Sequence, residues 1–292
     1  MRPDPALPQP AVAFLGLGAL GSPMAARLLR AGFPLTVHNR RREREAELVH
    51  AGAVAAPSPA AAVAEAELVC LCLSDDQAVR TVLAAAGPAL RPGSLVIDFS
   101  TITPATSQAL ASELASRQVT YLDAPVTGGT EGARAGRLSV LVGGAAADLE
   151  RARPLLKAVG ESISHFGPVG AGQQAKAVNQ VLVAGSYAAV AEAMALGQRL
   201  GLAMDQLVAA LGGGAAGSWA LEHRSGAMLR HEFPLGFRLC LHRKDLAIAL
   251  EAAGACDLSL PVTALVAALE DDLIARGHGD EDVAALARWF SR

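Results

Sequence analysis

At 292 residues the chain exceeds a typical domain of about 100–200 residues, so two domains are expected. With 52% hydrophobic and only 18% charged residues it is too apolar to be disordered. Lys and Arg number 25 against 28 for Asp and Glu, a formal net charge of −3; without a basic surplus to neutralise phosphates, nucleic acid is not an expected partner.

Residues 1–10 are proline-rich and carry both Arg2 and Asp4, which reads as a flexible leader and not as a signal peptide. Strands are expected at 12–15, 35–38, 68–73, 95–99, 120–122 and 139–142, with helices at 22–31, 41–50, 60–65, 75–85, 104–116 and 145–159 between them. Several of these strands are continuous apolar runs, as a parallel sheet buried on both faces requires. The alternation predicts an α/β, Rossmann-type doubly wound domain over residues 11–167. From residue 168 the pattern is helical only: a long helix at 174–200, then 204–211, 219–229, 244–253, 261–276 and 281–290. An all-α domain entered through one long helix is expected over 168–292.

The apolar stretch 177–191 contains Asn179 and Gln180 and is shorter than the ~18–20 residues that span a bilayer, so a soluble, cytoplasmic protein with no membrane partner is expected. Cys70 and Cys72 share one face of a strand, with Cys240 and Cys256 far away; the four read as small core side chains. The seven histidines show no ligand spacing, and no metal is expected.

The first strand runs into Gly16-Leu17-Gly18-Ala19-Leu20-Gly21 and then a helix. Glycines at this spacing give a tight turn, close approach of backbone N–H groups to a pyrophosphate, and close helix–strand packing. After the second strand, where an acid would bind the ribose 2′-hydroxyl of NAD, stands His38-Asn39-Arg40-Arg41-Arg42. Guanidinium groups suit a 2′-phosphate, so NADP(H) is favoured over NAD(H), with Asn39, Arg40 and Arg41 as its readers. The competing reading is a solvated, arginine-rich helix start. Two further segments complete the pattern: Asp123-Ala124-Pro125-Val126-Thr127-Gly128-Gly129, and Gly170-Ala171-Gly172-Gln173-Gln174-Ala175-Lys176-Ala177-Val178-Asn179-Gln180.

Together these segments resemble the β-hydroxyacid dehydrogenases, a family that includes 3-hydroxyisobutyrate dehydrogenase and tartronate semialdehyde (2-hydroxy-3-oxopropionate) reductase. The resemblance runs from residue 11 to the end. Leu20 stands where the family commonly has Met, Arg27 where it has Asn, and Gln180 where many relatives have Asn; Gln at that place resembles the tartronate semialdehyde reductase branch. The resemblance implies interconversion of a small β-hydroxyacid and its semialdehyde. Oxidation removes a hydride to the cofactor and a proton to the protein. Lys176 matches the family's catalytic lysine, and burial or nearby positive charge should bring its titration towards working pH. Asn179, three residues on along the helix, is implied to orient the substrate or the lysine. Thr127-Gly128-Gly129 can present successive N–H groups to a carboxylate. Leu73, Ser74 and Thr101, at strand ends, are implied to contact the cofactor; for Thr101 the alternative is a helix N-cap. Lys244, in Lys244-Asp245, is implied to face cofactor or substrate carboxylate, the alternative being a solvated lysine at a helix start. Ser218 and Trp219 are weaker candidates for the substrate cleft. A homodimer or homotetramer is expected, since the long apolar helix would otherwise expose a hydrophobic face. The alternatives are a succinic-semialdehyde, glyoxylate or imine reductase on the same scaffold, or a non-catalytic module; Lys176 counts against the last two.

Overall fold

A computed structural model describes residues 9–290, so residues 1–8 of the expected leader lie outside the described residues. Its contacts group into two units, Met1–Lys176 and Ala177–Arg292.

The first unit alternates β1 (Val12–Leu15), α1 (Gly21–Arg30), β2 (Leu35–His38), α2 (Ala46–His50), β3 (Val54–Ala55), α3 (Pro59–Val63), β4 (Leu68–Leu71), α4 (Asp76–Ala86), β5 (Leu95–Asp98), α5 (Pro104–Ala115), β6 (Thr120–Asp123), β7 (Val126–Thr127), α6 (Gly129–Ala135), β8 (Leu138–Gly143), α7 (Ala146–Val159) and β9 (Gly160–Gly167). The sheet order is β3-β2-β1-β4-β5-β6-β8-β7, with β9 beside β8. All pairs from β3 to β6 are parallel, whereas β8 runs antiparallel to β6 and β7. Strands β1, β4 and β5 are buried at every residue because the sheet carries a core on each face. Val12, Phe14, Cys70 and Ile97 point into one core; Ala13, Leu15, Val69 and Val96 point into the other. Cys70 and Cys72 are free thiols; burial pushes Cys72 up to about 12 and Cys70 further, so neither is a reactive thiolate.

The sequence order reverses between β1 and β4, and in such sheets ligands bind beyond the strand C-termini at that point. The expected helix 41–50 is a 3-10 turn, Arg42–Glu45, followed by the short α2. Strands β3, β7 and β9 and helix α6 were not expected. The first two are only two residues long, α6 lies in a glycine-rich run of weak helix propensity, and β9 (GESISHFG) lacks an apolar run.

The second unit holds most of α8 (Ala171–Arg199), then α9 (Met204–Gly212), α10 (Trp219–Arg230), α11 (Leu239–Gly254), α12 (Pro261–Ala275), a 3-10 turn Val283–Leu286 and α13 (Ala287–Phe290). Its core gathers Ala184, Tyr187, Ala191 and Met194 of α8 with Leu246, Val266, Leu273 and Leu286. The 29-residue α8 is longer than the apolar stretch read from the sequence, and by length and composition it could cross a membrane. Its contribution to this core marks it instead as a packed helix. Lys244 is not at a helix start, because α11 begins at Leu239 where Leu239 N finds Glu281 O at 2.9 Å. Between α11 and α12, His242 Nδ1 and Glu270 Oε1 meet at 2.6 Å with both side chains fully buried.

Candidate active site

Each glycine of the turn after β1 answers a different constraint. Gly16 has φ +101°, and a Cβ on it would collide with the Cys72 carbonyl oxygen; a Cβ on Gly21 would collide with Gly16 O. A Cβ on Gly18 meets nothing of the protein within 4 Å. Gly18 therefore keeps open a space that the chain itself does not fill, as close approach of a pyrophosphate requires. Helix α1 begins just behind, with no side-chain cap and no acidic residue in its first turn, so its N-terminal partial charge is uncontested. Leu17, Ala19 and Leu20 supply the backbone between these glycines.

The end of β2 braces this turn. Asn39 Oδ1 accepts from Leu17 N at 2.9 Å, and Arg44 donates to Leu17 O at 3.3 Å. Buried Glu45 accepts from Asn39 N at 2.7 Å and pairs with Arg42 at 3.0 Å, while Arg42 also donates to Ala56 O. Asn39 and Arg42 are thus committed to the fold. Arg40 and Arg41 are exposed, and no ion pair engages them among the described residues.

At the ends of β4 and β5, Leu73 N donates to Ser100 Oγ at 2.9 Å, and Ser74 Oγ donates to Asp75 at 2.6 Å. Thr101 is half-buried between two residues held by one amide: Gln173 Nε2 donates to Ser100 O at 2.8 Å, and Gln173 Oε1 accepts from Ile102 N at 3.3 Å. Thr101 is not the cap of α5; Thr103 is, accepting from Thr106 N at 3.2 Å.

Helix α8 starts where buried Asp123 accepts from Gly170 N at 2.8 Å and Gln173 N at 2.9 Å. A Cβ on Gly143 or Gly172 would collide with that carboxylate. So fixed, α8 carries Lys176, which is only 7% exposed, to Val126 O, where Nζ donates at 2.9 Å. The next residues are Thr127, paired with Ser139 in the sheet, then Gly128 (φ +127°) and Gly129 (φ +63°). The start of α6 leaves its first N–H groups without helical acceptors. Lysine and glycine turn are therefore together within the first unit.

In the second unit, Asn179 Nδ2 donates to Gln180 Oε1 at 2.7 Å, Gln180 Nε2 donates to Asp245 Oδ2 at 2.7 Å, and Lys244 Nζ lies 2.9 Å from Asp245 Oδ1. Ser218 caps α10 through Leu221 N, and Trp219 stacks on His223.

Residues 11–167 match the NAD binding domain of 6-phosphogluconate dehydrogenase, and residues 170–290 match the family described as NAD-binding of NADP-dependent 3-hydroxyisobutyrate dehydrogenase. The chain is 40% identical to the 3-hydroxyisobutyrate dehydrogenase of Pseudomonas aeruginosa, covering 87% of this chain and 89% of that one. It is 39% identical to the NAD-dependent L-serine dehydrogenase of the same organism, over 96% and 97%. The solved Mycobacterium tuberculosis 3-hydroxyisobutyrate dehydrogenase with L-serine superposes with a TM-score of 0.86 at 33% identity, covering 96% and 98%. The chain belongs to the β-hydroxyacid dehydrogenases.

In this dehydrogenase the sequence motifs named Lys176, the glycine turns and the arginines, but not the carboxylates beneath them. Asp98 and Asp123 are register partners at the ends of β5 and β6. Asp98 accepts from Ser100 N at 2.9 Å and from Tyr121 OH at 2.8 Å. Burial outweighs these bonds and pushes its carboxyl up to about 6 from 3.8. Because the folded value lies above the unfolded one, this group's stability contribution is full below about pH 4 and is lost as pH rises through about 6. Asp98→Asn removes that dependence: wild type should lose on the order of 2–3 kcal/mol relative to the variant between pH 4 and pH 7. Urea unfolding of both proteins across that range checks it; a difference that grows in favour of wild type with pH would contradict it.

Proposed function

We propose that this NAD(P)-dependent hydroxyacid dehydrogenase uses NADP(H) to interconvert a small β-hydroxyacid and its semialdehyde, of the 3-hydroxyisobutyrate or 2-hydroxy-3-oxopropionate type, with Lys176 as general acid/base. The observation that carries the reading is the bond from Lys176 Nζ to Val126 O, which sets a buried ammonium against the residue before the Thr127-Gly128-Gly129 turn. A substrate whose carboxylate accepts from the N–H groups of that turn brings its β-hydroxyl to the neighbouring lysine. The bound nicotinamide accepts the hydride from the carbinol carbon. Neutral Lys176 takes the hydroxyl proton in oxidation, and its ammonium returns one to the carbonyl oxygen in reduction. Asn179, one turn on, positions this exchange, and Lys244 adds positive charge for substrate carboxylate or cofactor.

For the cofactor, Gly16 through Gly21 would cradle the pyrophosphate, Leu73, Ser74 and Thr101 would line its path towards the nicotinamide, and Arg40 and Arg41 would hold the 2′-phosphate. Asn39 supports the reading indirectly, through Leu17. The reading includes a homodimer or homotetramer, supported by the strongly exposed Val178 (64%), Leu182 (70%) and Leu196 (59%) along α8.

The test is a panel of 3-hydroxyisobutyrate, D-glycerate, L-serine, 3-hydroxypropionate and 4-hydroxybutyrate, each with NADP+ and NAD+. One of the β-hydroxyacids with NADP+ should give the highest kcat/KM. A best rate with 4-hydroxybutyrate would move the enzyme to semialdehydes of the longer acid and refute the β-hydroxyacid assignment.

A further inference from the structure

Gln180 and Asp245 have no role in the chemistry just described, yet both are almost completely buried and bonded to each other. A carboxylate can only accept hydrogen bonds, and Lys244 already donates towards one of Asp245's oxygens. The amide group that Gln180 turns to the other oxygen must therefore be Nε2. That leaves Gln180 Oε1 at the far end, and it accepts from Asn179 Nδ2. Asn179 in turn is left with Oδ1 as the atom it can offer. The polarity of three side chains thus follows from one charge.

We infer that Asp245, acting through Gln180, is a positioning residue that fixes the amide of Asn179 with its carbonyl oxygen outward, so that Asn179 meets the lysine ammonium or substrate hydroxyl as an acceptor. This rests on the reading of Lys176 and Asn179 as the reacting face of α8. Without the relay the two orientations of the Asn179 amide differ little in shape, and the site would present a donor as readily as an acceptor.

The relay has a signature that space-filling alone does not produce. In Asp245→Asn, Lys244 keeps the amide oxygen, Nδ2 now faces Gln180, and both downstream amides invert, so Asn179 offers Nδ2. In Asn179→Asp the new carboxylate opposes Gln180 Oε1, acceptor against acceptor. Joined in one chain, the two changes agree again: Asn at 245 donates to Gln180 Oε1, Gln180 Nε2 donates to Asp at 179, and a carboxylate oxygen remains outward.

The experiment is a double-mutant cycle over wild type, Asp245→Asn, Asn179→Asp and the double variant, read first by Tm and then by kcat/KM for the best hydroxyacid. Asn179→Asp alone should lower Tm by more than about 3 °C, of the order expected for 1 kcal/mol in a chain of this size. Adding Asp245→Asn should restore at least half of that loss and raise kcat/KM at least tenfold over Asn179→Asp. Additive or worse Tm losses in the double variant overturn the relay. If the Tm cycle couples but wild type oxidises none of the hydroxyacids, the relay stands and the assigned function falls.

Discussion

Lys176→Ala and Lys176→Met should lower kcat by ~10²–10⁴-fold in both directions, the usual contribution of a positioned proton-transfer group. The side chain is buried against Val126 O, and its loss leaves the Asp123 node that starts α8 untouched. Circular dichroism and NADPH binding, followed by cofactor fluorescence, should therefore match wild type. Lys176→Arg should rescue little: a guanidinium keeps its charge and can stabilise an oxyanion, but it stays protonated and cannot accept the hydroxyl proton. Restoration by Arg to within threefold of wild type would reduce Lys176 to an electrostatic role.

The second large effect concerns the cofactor. Arg40→Ala/Arg41→Ala should cut kcat/KM for NADP+ by about ten- to a hundredfold, because a charge-assisted contact is worth ~1.5–3 kcal/mol. The rate with NAD+, which lacks the 2′-phosphate, should change less than threefold. Arg42→Ala should behave differently, since Arg42 serves Glu45 and Ala56. It should weaken both cofactors together by loosening the Glu45–Asn39–Leu17 chain under the glycine turn. Equal losses with NADP+ and NAD+ in the Arg40/Arg41 variant would refute these two as 2′-phosphate readers.

What the sequence disclosed and what it withheld divide along a physical line. The parallel strands were visible because burial on both faces demands unbroken apolar runs such as VAFL and LVCL. The glycine turn and Lys176 were visible because their chemistry depends on local spacing. Long-range polar contacts were not: nothing local says that Asp123 receives the N–H groups of Gly170 and Gln173, or that Gln173 grips both neighbours of Thr101. A retrospective signal exists in Asp98 and Asp123, which each close an apolar strand where a buried carboxylate needs donors from elsewhere. The four neighbouring arginines were alike in sequence; only Glu45, in contact with Arg42, separates scaffold from the exposed pair. Likewise Lys244-Asp245 resembled a helix start because the five residues before it, LCLHR, carry no capping signal, whereas the actual start is closed by Glu281 O from far along the chain.

The most direct test is the pH dependence of kcat/KM for hydroxyacid oxidation with saturating NADP+, in wild type and Lys176→Ala, under conditions where hydride transfer limits the rate. Wild type should rise with pH along a limb of one-proton slope, and that limb should be absent from the variant, whose residual rate stays at least a hundredfold lower. If Lys176→Ala kept the limb, or more than about a third of wild-type kcat, another group would carry the proton and the assignment of Lys176 would be wrong.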